Sequence, residues 1–237
     1  MIRAHLATFP LRRRILRRVV DAIVPQVDQL FIVLNEYQDI PGYLAKNDKI
    51  TTVIPDRDVK DAGKFWFTPD PDDLVFLIDD DIGYPPDYVA RTLESIARMD
   101  GAKHIFGYFG GGYQDGKWTV YPFNKPLAEI TGATMVGTGT AIAYGRALPP
   151  LSEVEPCAGY VDYAWGDWLC QNGFMPWVLP RPEQWITEDL PKNLKDSSLL
   201  RTVAKKRYPH VTAKLGKFAR GFPHANIPYD IYRQGAV

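Results

Sequence analysis

Apolar positions along the chain follow two rhythms. Ile2–Thr8, Gln29–Asn35, Lys49–Ile54 and Leu74–Ile78 are short apolar runs rich in β-formers, and they predict strands. Between the first two, Leu11, Ile15, Leu16, Val19, Val20, Ile23 and Val24 recur at helical spacing, with Thr8 as an N-cap and Pro25 as a stop. Leu74–Ile78 is apolar without a break, as a central parallel strand covered on both faces must be. Pro85 and Pro86 open a helix to about Arg98, whose buried face is Tyr88, Val89, Thr92, Leu93 and Ile96. The order strand, helix, strand, strand, strand, helix predicts an open α/β sheet.

The second half has a different texture. Lys103–Tyr108 and Trp118–Phe123 predict strands joined across a glycine-rich turn, Gly110-Gly111-Gly112 with Asp115-Gly116. Thr134–Tyr144, which contains Gly137-Thr138-Gly139-Thr140, predicts one further strand. Val161–Asn172 predicts a helix ended by Gly173, followed by the strand Phe174–Leu179. From Lys192 to Arg220 the chain turns basic around Lys205, Lys206 and Arg207. One α/β domain of residues 1–237 is expected, in which 1–100 and 101–190 form two halves and 191–237 a basic C-terminal region.

Composition narrows the function. Formal net charge is zero, which removes a global electrostatic case for a nucleic-acid partner. Cys157 and Cys170 are the two cysteines; they make no disulfide framework and match no zinc spacing, which suits a reducing compartment. No apolar run approaches ~20 residues and no signal-peptide core opens the chain, so a soluble, cytoplasmic protein is expected.

The candidate chemistry lies in Asp79-Asp80-Asp81, directly after the apolar strand Leu74–Ile78. Ligands of open α/β sheets collect at the carboxyl ends of strands. Three carboxylates there repel one another unless a cation sits among them, and a hard divalent ion that bridges a diphosphate meets that need. In an extended chain Asp79 and Asp81 face one way and Asp80 the other. The plainer alternative is an acidic turn that faces water.

The stretch from Asp73 through Asp79-Asp80-Asp81 to Val89 resembles the DXD region of family 2-like, inverting GT-A glycosyltransferases. Pro25–Asn35, Asp61–Phe65, Gly137–Thr140, Asp162, Asn172-Gly173, Pro180-Arg181-Pro182 and Trp185 continue the likeness in order over roughly residues 2–187. The resemblance implies a Rossmann-like nucleotide-binding half with a mixed central sheet, joined to an acceptor-binding half. It also implies transfer of a sugar from a nucleotide-sugar to a hydroxyl, with Mn2+ or Mg2+ as cofactor, in bacterial surface-polysaccharide or glycoconjugate synthesis. By the same resemblance Thr8, Asn35 and Asp61 serve base and ribose, and Lys64 a phosphate or only solvent. Asp79 and Asp80 serve ribose or metal, and Asp81, with Asp79, the metal. Arg181 either reaches the diphosphate or pairs with Glu183.

An inverting transfer needs a base for the acceptor hydroxyl. Asp162 and Asp167 both qualify by type; five residues apart on a helix, they point roughly 140° apart, so only one can face the site. Asp162, nearer the apolar edge, is preferred, with helix capping as its competing role and Asp167 as the alternative base. Arg12, Arg13, Arg14, Arg17 and Arg18 form a solvated helix face, unless Arg12 or Arg13 meets the donor phosphates. The stretch 192–220 is a docked basic segment or a peripheral contact with an anionic inner membrane face, which would suit a lipid-linked acceptor. Two rivals remain: a non-catalytic nucleotide-sugar or glycan-binding protein of the same fold, and a sugar-phosphate nucleotidyltransferase. The second would carry a glycine-rich basic loop where this chain has Ala7-Thr8-Phe9-Pro10-Leu11.

Overall fold

The computed structural model describes residues 1–99, 103–197 and 222–235. The first half runs β1 (Ile2–Thr8), α1 (Arg13–Ile23), β2 (Gln29–Leu34), α2 (Gly42–Ala45), β3 (Ile50–Val53), β4 (Leu74–Ile78), β5 (Ile82–Gly83) and α3 (Tyr88–Ile96). Apart from the short elements α2 and β5, these are the elements the apolar rhythm predicts. α1 turns Ile15, Leu16, Val19, Val20 and Ile23 inward, the stripe expected of an amphipathic helix. Its start differs from expectation, because Thr8 does not cap it. A 3-10 turn over Pro10–Arg12 comes first, and no side chain caps either helix. Pro10, with its fixed φ, begins the helical path, while Thr8 stays in β1 and gives its hydroxyl to Asp80.

The second half runs β6 (His104–Gly107), β7 (Gly110–Gln114), β8 (Lys117–Tyr121), β9 (Thr131–Gly132), β10 (Met135–Val136), β11 (Thr140–Tyr144), α4 (Leu151–Val154), α5 (Val161–Gln171), β12 (Met175–Val178), β13 (Thr187–Glu188) and α6 (Tyr229–Arg233). Two expectations are corrected here. Gly110-Gly111-Gly112 is not a turn but part of β7, which pairs with β8 across Asp115-Gly116. Both turn residues have positive φ, as a two-residue hairpin turn requires. The glycines of β7 make room: a Cβ on Gly110 would lie 2.7 Å from the Met135 carbonyl. Likewise the predicted strand Thr134–Tyr144 is two strands, broken at Gly137-Thr138-Gly139. β10 joins β7 in a small sheet, and β11 enters the main one.

The main sheet has eight strands in the order β3-β2-β1-β4-β11-β6-β12-β9. β1 to β4 are parallel, β11 is antiparallel to β4 and β6, and β12 is parallel to β6. β4 lies near the middle and is buried at all five positions. Its side chains alternate: Leu74, Phe76 and Ile78 join the core with α1 and α3, whereas Val75 and Leu77 join the core with Phe65 and α5. No helix among the described residues is long and apolar enough to cross a membrane. Of the basic stretch 192–220, residues 198–220, with Lys205, Lys206 and Arg207, lie outside the described residues.

Trp165 holds α5 against the sheet. Its ring is fully buried, its edge meets Phe65 with centroids 5.8 Å apart, and its indole N–H donates to the Ala147 carbonyl at 2.9 Å. Trp165→Ala should lower the unfolding free energy by about 3–5 kcal/mol in urea titrations, with Trp165→Phe between it and wild type. An alanine variant within about 1 kcal/mol of wild type would show that α5 is anchored elsewhere.

Candidate active site

β1 and β4 end side by side, and β11 starts next to the end of β4, with Thr140 opposite Ile78. Thr8, the acidic triplet and the Gly137–Gly139 bend therefore meet at one sheet edge. Asp80 is buried and accepts the Thr8 hydroxyl at 2.5 Å. Burial pushes its carboxyl up to about 7, against the pull of that hydrogen bond. Asp79, on the opposite side, forms an ion pair with Lys64. The backbone here is fitted closely: a Cβ on Gly139 would collide with Asp79 Oδ2. Tyr84 locks the approach, because its hydroxyl donates to the Gly139 carbonyl at 2.6 Å and accepts the Asp79 N–H at 2.8 Å.

Lys64 comes from the 3-10 helix Lys60–Phe65 and is almost fully buried. Its ammonium also donates to the carbonyl and hydroxyl of Thr138, each at 3.2 Å. Burial opposes the charge, but Asp79, Asp162 and Asp61 outweigh it and raise the Lys64 pKa. Asp81 pairs with Arg12 at 3.1 Å. Burial and the charge of Asp79 raise the Asp81 pKa, and Arg12 pulls it down. Arg12 is buried, and its Nε has no hydrogen-bond partner. Its neighbours Arg13, Arg17 and Arg18 instead pair with Asp39, Asp21 and Asp189 at the surface.

Asp162 enters the same cluster from the first turn of α5. Its Oδ1 accepts the Thr138 N–H at 2.9 Å and the Thr138 hydroxyl at 2.7 Å. Burial raises its pKa, while Lys64 and the Thr138 hydrogen bonds work in the other direction. Asp162 does not cap α5. That task falls to Asp61, whose two oxygens accept the N–H groups of Gly159 and Val161. Asn35 bonds the Lys60 carbonyl at 3.1 Å and the Val59 N–H at 3.1 Å, so it shapes the turn that delivers Asp61 and Lys64. Asp167 accepts from Gln171 at 3.1 Å on its own helix and is not joined to the cluster. Arg181 is not joined either: its donors go to the carbonyls of Lys125, Leu179 and Pro122, and Glu183 pairs with Lys125.

The structure thus brings together Thr8, Lys64, Asp79, Asp80, Asp81 and Asp162, with Asp61 one hydrogen-bonded turn away. Arg12, Thr138 and Tyr84 complete the cluster. Arg12 was singled out from the five helix arginines only together with Arg13, and Tyr84 carried no signal beyond its closeness to the triplet. Among the described residues no group of three or more His, Cys, Asp or Glu side chains is placed to hold a metal ion. Asp79 and Asp81 keep 38% and 23% of their side-chain surface exposed, and both offer hard oxygen donors. An open pair of this kind fits Mg2+ or Mn2+, which take one or two carboxylates and complete their shells with phosphate oxygens and water.

No protein-family model matches the chain, and no curated protein does. Among solved structures, two complexes of glucosyl-3-phosphoglycerate synthase from Mycobacterium tuberculosis are similar. One contains Mn2+, UDP-glucose and phosphoglyceric acid; it is 15% identical and aligns over 94% of this chain and 80% of that one, with a TM-score of 0.50. The other contains Mn2+, UDP and phosphoglyceric acid and aligns over 94% and 79%, with the same identity and TM-score. The likeness is one of fold: a mixed α/β architecture with a large mixed central sheet, as in GT-A glycosyltransferases.

Burial, against its backbone hydrogen bonds, pushes the Asp61 carboxyl up to about 6. A carboxyl whose folded pKa exceeds its unfolded value stabilises the fold at low pH and loses that contribution as pH rises. Wild type should therefore lose stability relative to Asp61→Asn between about pH 4 and about pH 6, then run parallel to it. Urea titrations across that window check this; parallel curves throughout would show that Asp61 is as acidic folded as unfolded.

Proposed function

We propose that the chain is a metal-dependent glycosyltransferase that moves a sugar from a nucleotide-sugar donor to a hydroxyl acceptor with inversion. The observation that carries this reading is the cluster at the carboxyl ends of β1 and β4. There three carboxylates and two buried cations converge on a fold shared with an enzyme whose structures hold Mn2+ with UDP-glucose or UDP. Asp79 and Asp81 would hold the divalent cation, which supplies Lewis-acid compensation for charge on the departing nucleoside diphosphate.

The protein's own groups then have distinct tasks. Lys64 and Arg12, already beside Asp79 and Asp81, would turn toward donor phosphate oxygens as negative charge moves onto them. Thr8 fixes Asp80, which would serve the ribose or the metal. Asp162 is held by Thr138 through Oδ1 alone, and its Oδ2 would accept the proton of the acceptor hydroxyl. The acceptor oxygen forms its bond to the anomeric carbon on the face opposite the leaving group, and the diphosphate departs with the electron pair. The raised pKa of Asp162 makes it a stronger base than an exposed aspartate. Asn35 and Asp61 position this machinery, and surface-polysaccharide or glycoconjugate synthesis is the setting such chemistry suits.

Thermal-shift titrations with nucleoside diphosphates and nucleotide-sugars, with and without Mn2+, test the donor site. Stabilisation by one nucleotide should require Mn2+ and vanish in Asp81→Ala. Asp162→Asn should keep that stabilisation yet lose donor turnover by about 10²–10⁴-fold, whereas Asp167→Asn should turn over as wild type does. Nucleotide binding without donor turnover by wild type, with any hydroxyl acceptor or with water, would favour a binding protein. Pyrophosphate release from a nucleoside triphosphate and a sugar phosphate would favour a nucleotidyltransferase.

A further inference from the structure

A cleft of about 920 Å³ lies between α3, residues 127–130, residues 180–185 and α6. It shares no lining residue with the acidic cluster. Tyr84, Tyr88, Tyr108 and Trp185 stand in contact, ring against ring, between the two regions, with centroids 5.0–5.9 Å apart. The volume is that of a small-molecule site.

The deepest charge in the cleft is Arg181, only 5% exposed. Three backbone carbonyls accept from it at 2.6–3.0 Å. A guanidinium has five N–H groups, so these contacts leave two over. No carboxylate among the described residues forms an ion pair with it, and burial without a counter-charge pulls its pKa down to about 10. Exposed Arg91 and Arg98 line the cleft from α3 and just beyond its end, and Arg233 lines it from α6. The carboxylates that line the same cleft, Glu94, Glu129 and Asp230, are all exposed to water.

Anchoring the loops at Pro122 and Lys125 explains the three carbonyl contacts of Arg181, but a neutral donor would serve that purpose without the cost of a buried charge. What a guanidinium adds is a planar fork matched to carboxylate and phosphate oxygens. The buried charge is positive, while the exposed mouth carries three arginines and three carboxylates, so the interior favours an anion over a cation.

We propose that this cleft is a second ligand site, which takes the carboxylate or phosphate group of a sugar-sized anion on Arg181, with Arg98 closing on it from the mouth. It stands whether or not sugar transfer occurs at the acidic cluster. Calorimetric titration of the full chain at low ionic strength with inorganic phosphate, with glucuronate and with uncharged glucose tests it, and the tighter of the two anions names the recognised group. Saturable binding of at least one anion is expected, with none of glucose. Arg98→Gln, a change at an exposed position, should weaken that binding at least tenfold, and Asp81→Ala should leave it unchanged. Arg181→Lys, in preparations that show a cooperative unfolding transition, should weaken it further. The proposal is overturned if neither anion binds wild type saturably, if glucose binds equally well, if Arg98→Gln binds as wild type does, or if Asp81→Ala abolishes binding.

Discussion

The buried ammonium of Lys64 is the interaction on which the site depends. It pairs with Asp79 at the end of β4 and donates to both oxygens of Thr138 in the bend before β11. Through Thr138 it is linked to Asp162 on α5. Three segments far apart in sequence are thereby drawn onto one cation. Without it, Asp79, Asp162 and Asp61 would repel one another with nothing to offset the repulsion. A lysine buried this deeply keeps its charge because carboxylates lie near it, and its charge in turn offsets theirs.

The mixed order of the sheet makes this meeting possible. Had β11 run parallel to β4, its first residue would lie at the far end of the strand, and the Gly137–Gly139 bend would be remote from the triplet. Antiparallel pairing puts Thr140 opposite Ile78 and the bend against Asp79. Gly139 permits the contact and Tyr84 fastens it. The same break lets β10 join the β7-β8 hairpin in the small sheet, since the chain leaves that sheet at Val136 and enters the main one at Thr140.

Charge is organised differently in the two regions a ligand can enter. At the acidic edge every carboxylate of the triplet already has a partner: Asp79 has Lys64, Asp80 has Thr8 and Asp81 has Arg12. These are the contacts that a divalent cation and a diphosphate would exchange for their own, with cation meeting carboxylate and guanidinium meeting phosphate. Beside α3 the pattern differs, with a buried guanidinium that pairs with no carboxylate among the described residues and a rim of both signs.

What the chain order alone determined is what depends on near neighbours. β4 was legible because five consecutive apolar residues have few other uses, α1 because its stripe repeats within one helix, and the open α/β sheet because such elements alternate. The triplet stood out for the same local reason: charge abruptly follows an apolar strand. What only the tertiary structure decided rests on partners distant in sequence. Asp61 caps a helix that starts about a hundred residues later, a pairing separated by 98 positions. Arg12 and Arg13 are adjacent and alike in type, yet Arg12 is buried against Asp81 and Arg13 pairs with Asp39 at the surface. Thr8 looked like a helix cap because capping is a local habit of threonine; Asp80, 72 residues away, took its hydroxyl instead. The glycines of β7 looked like a turn because bending is their local habit, whereas here they yield space to the chain packed beside them. Local propensity is weak, and a buried charge or a close backbone contact outweighs it wherever the two compete.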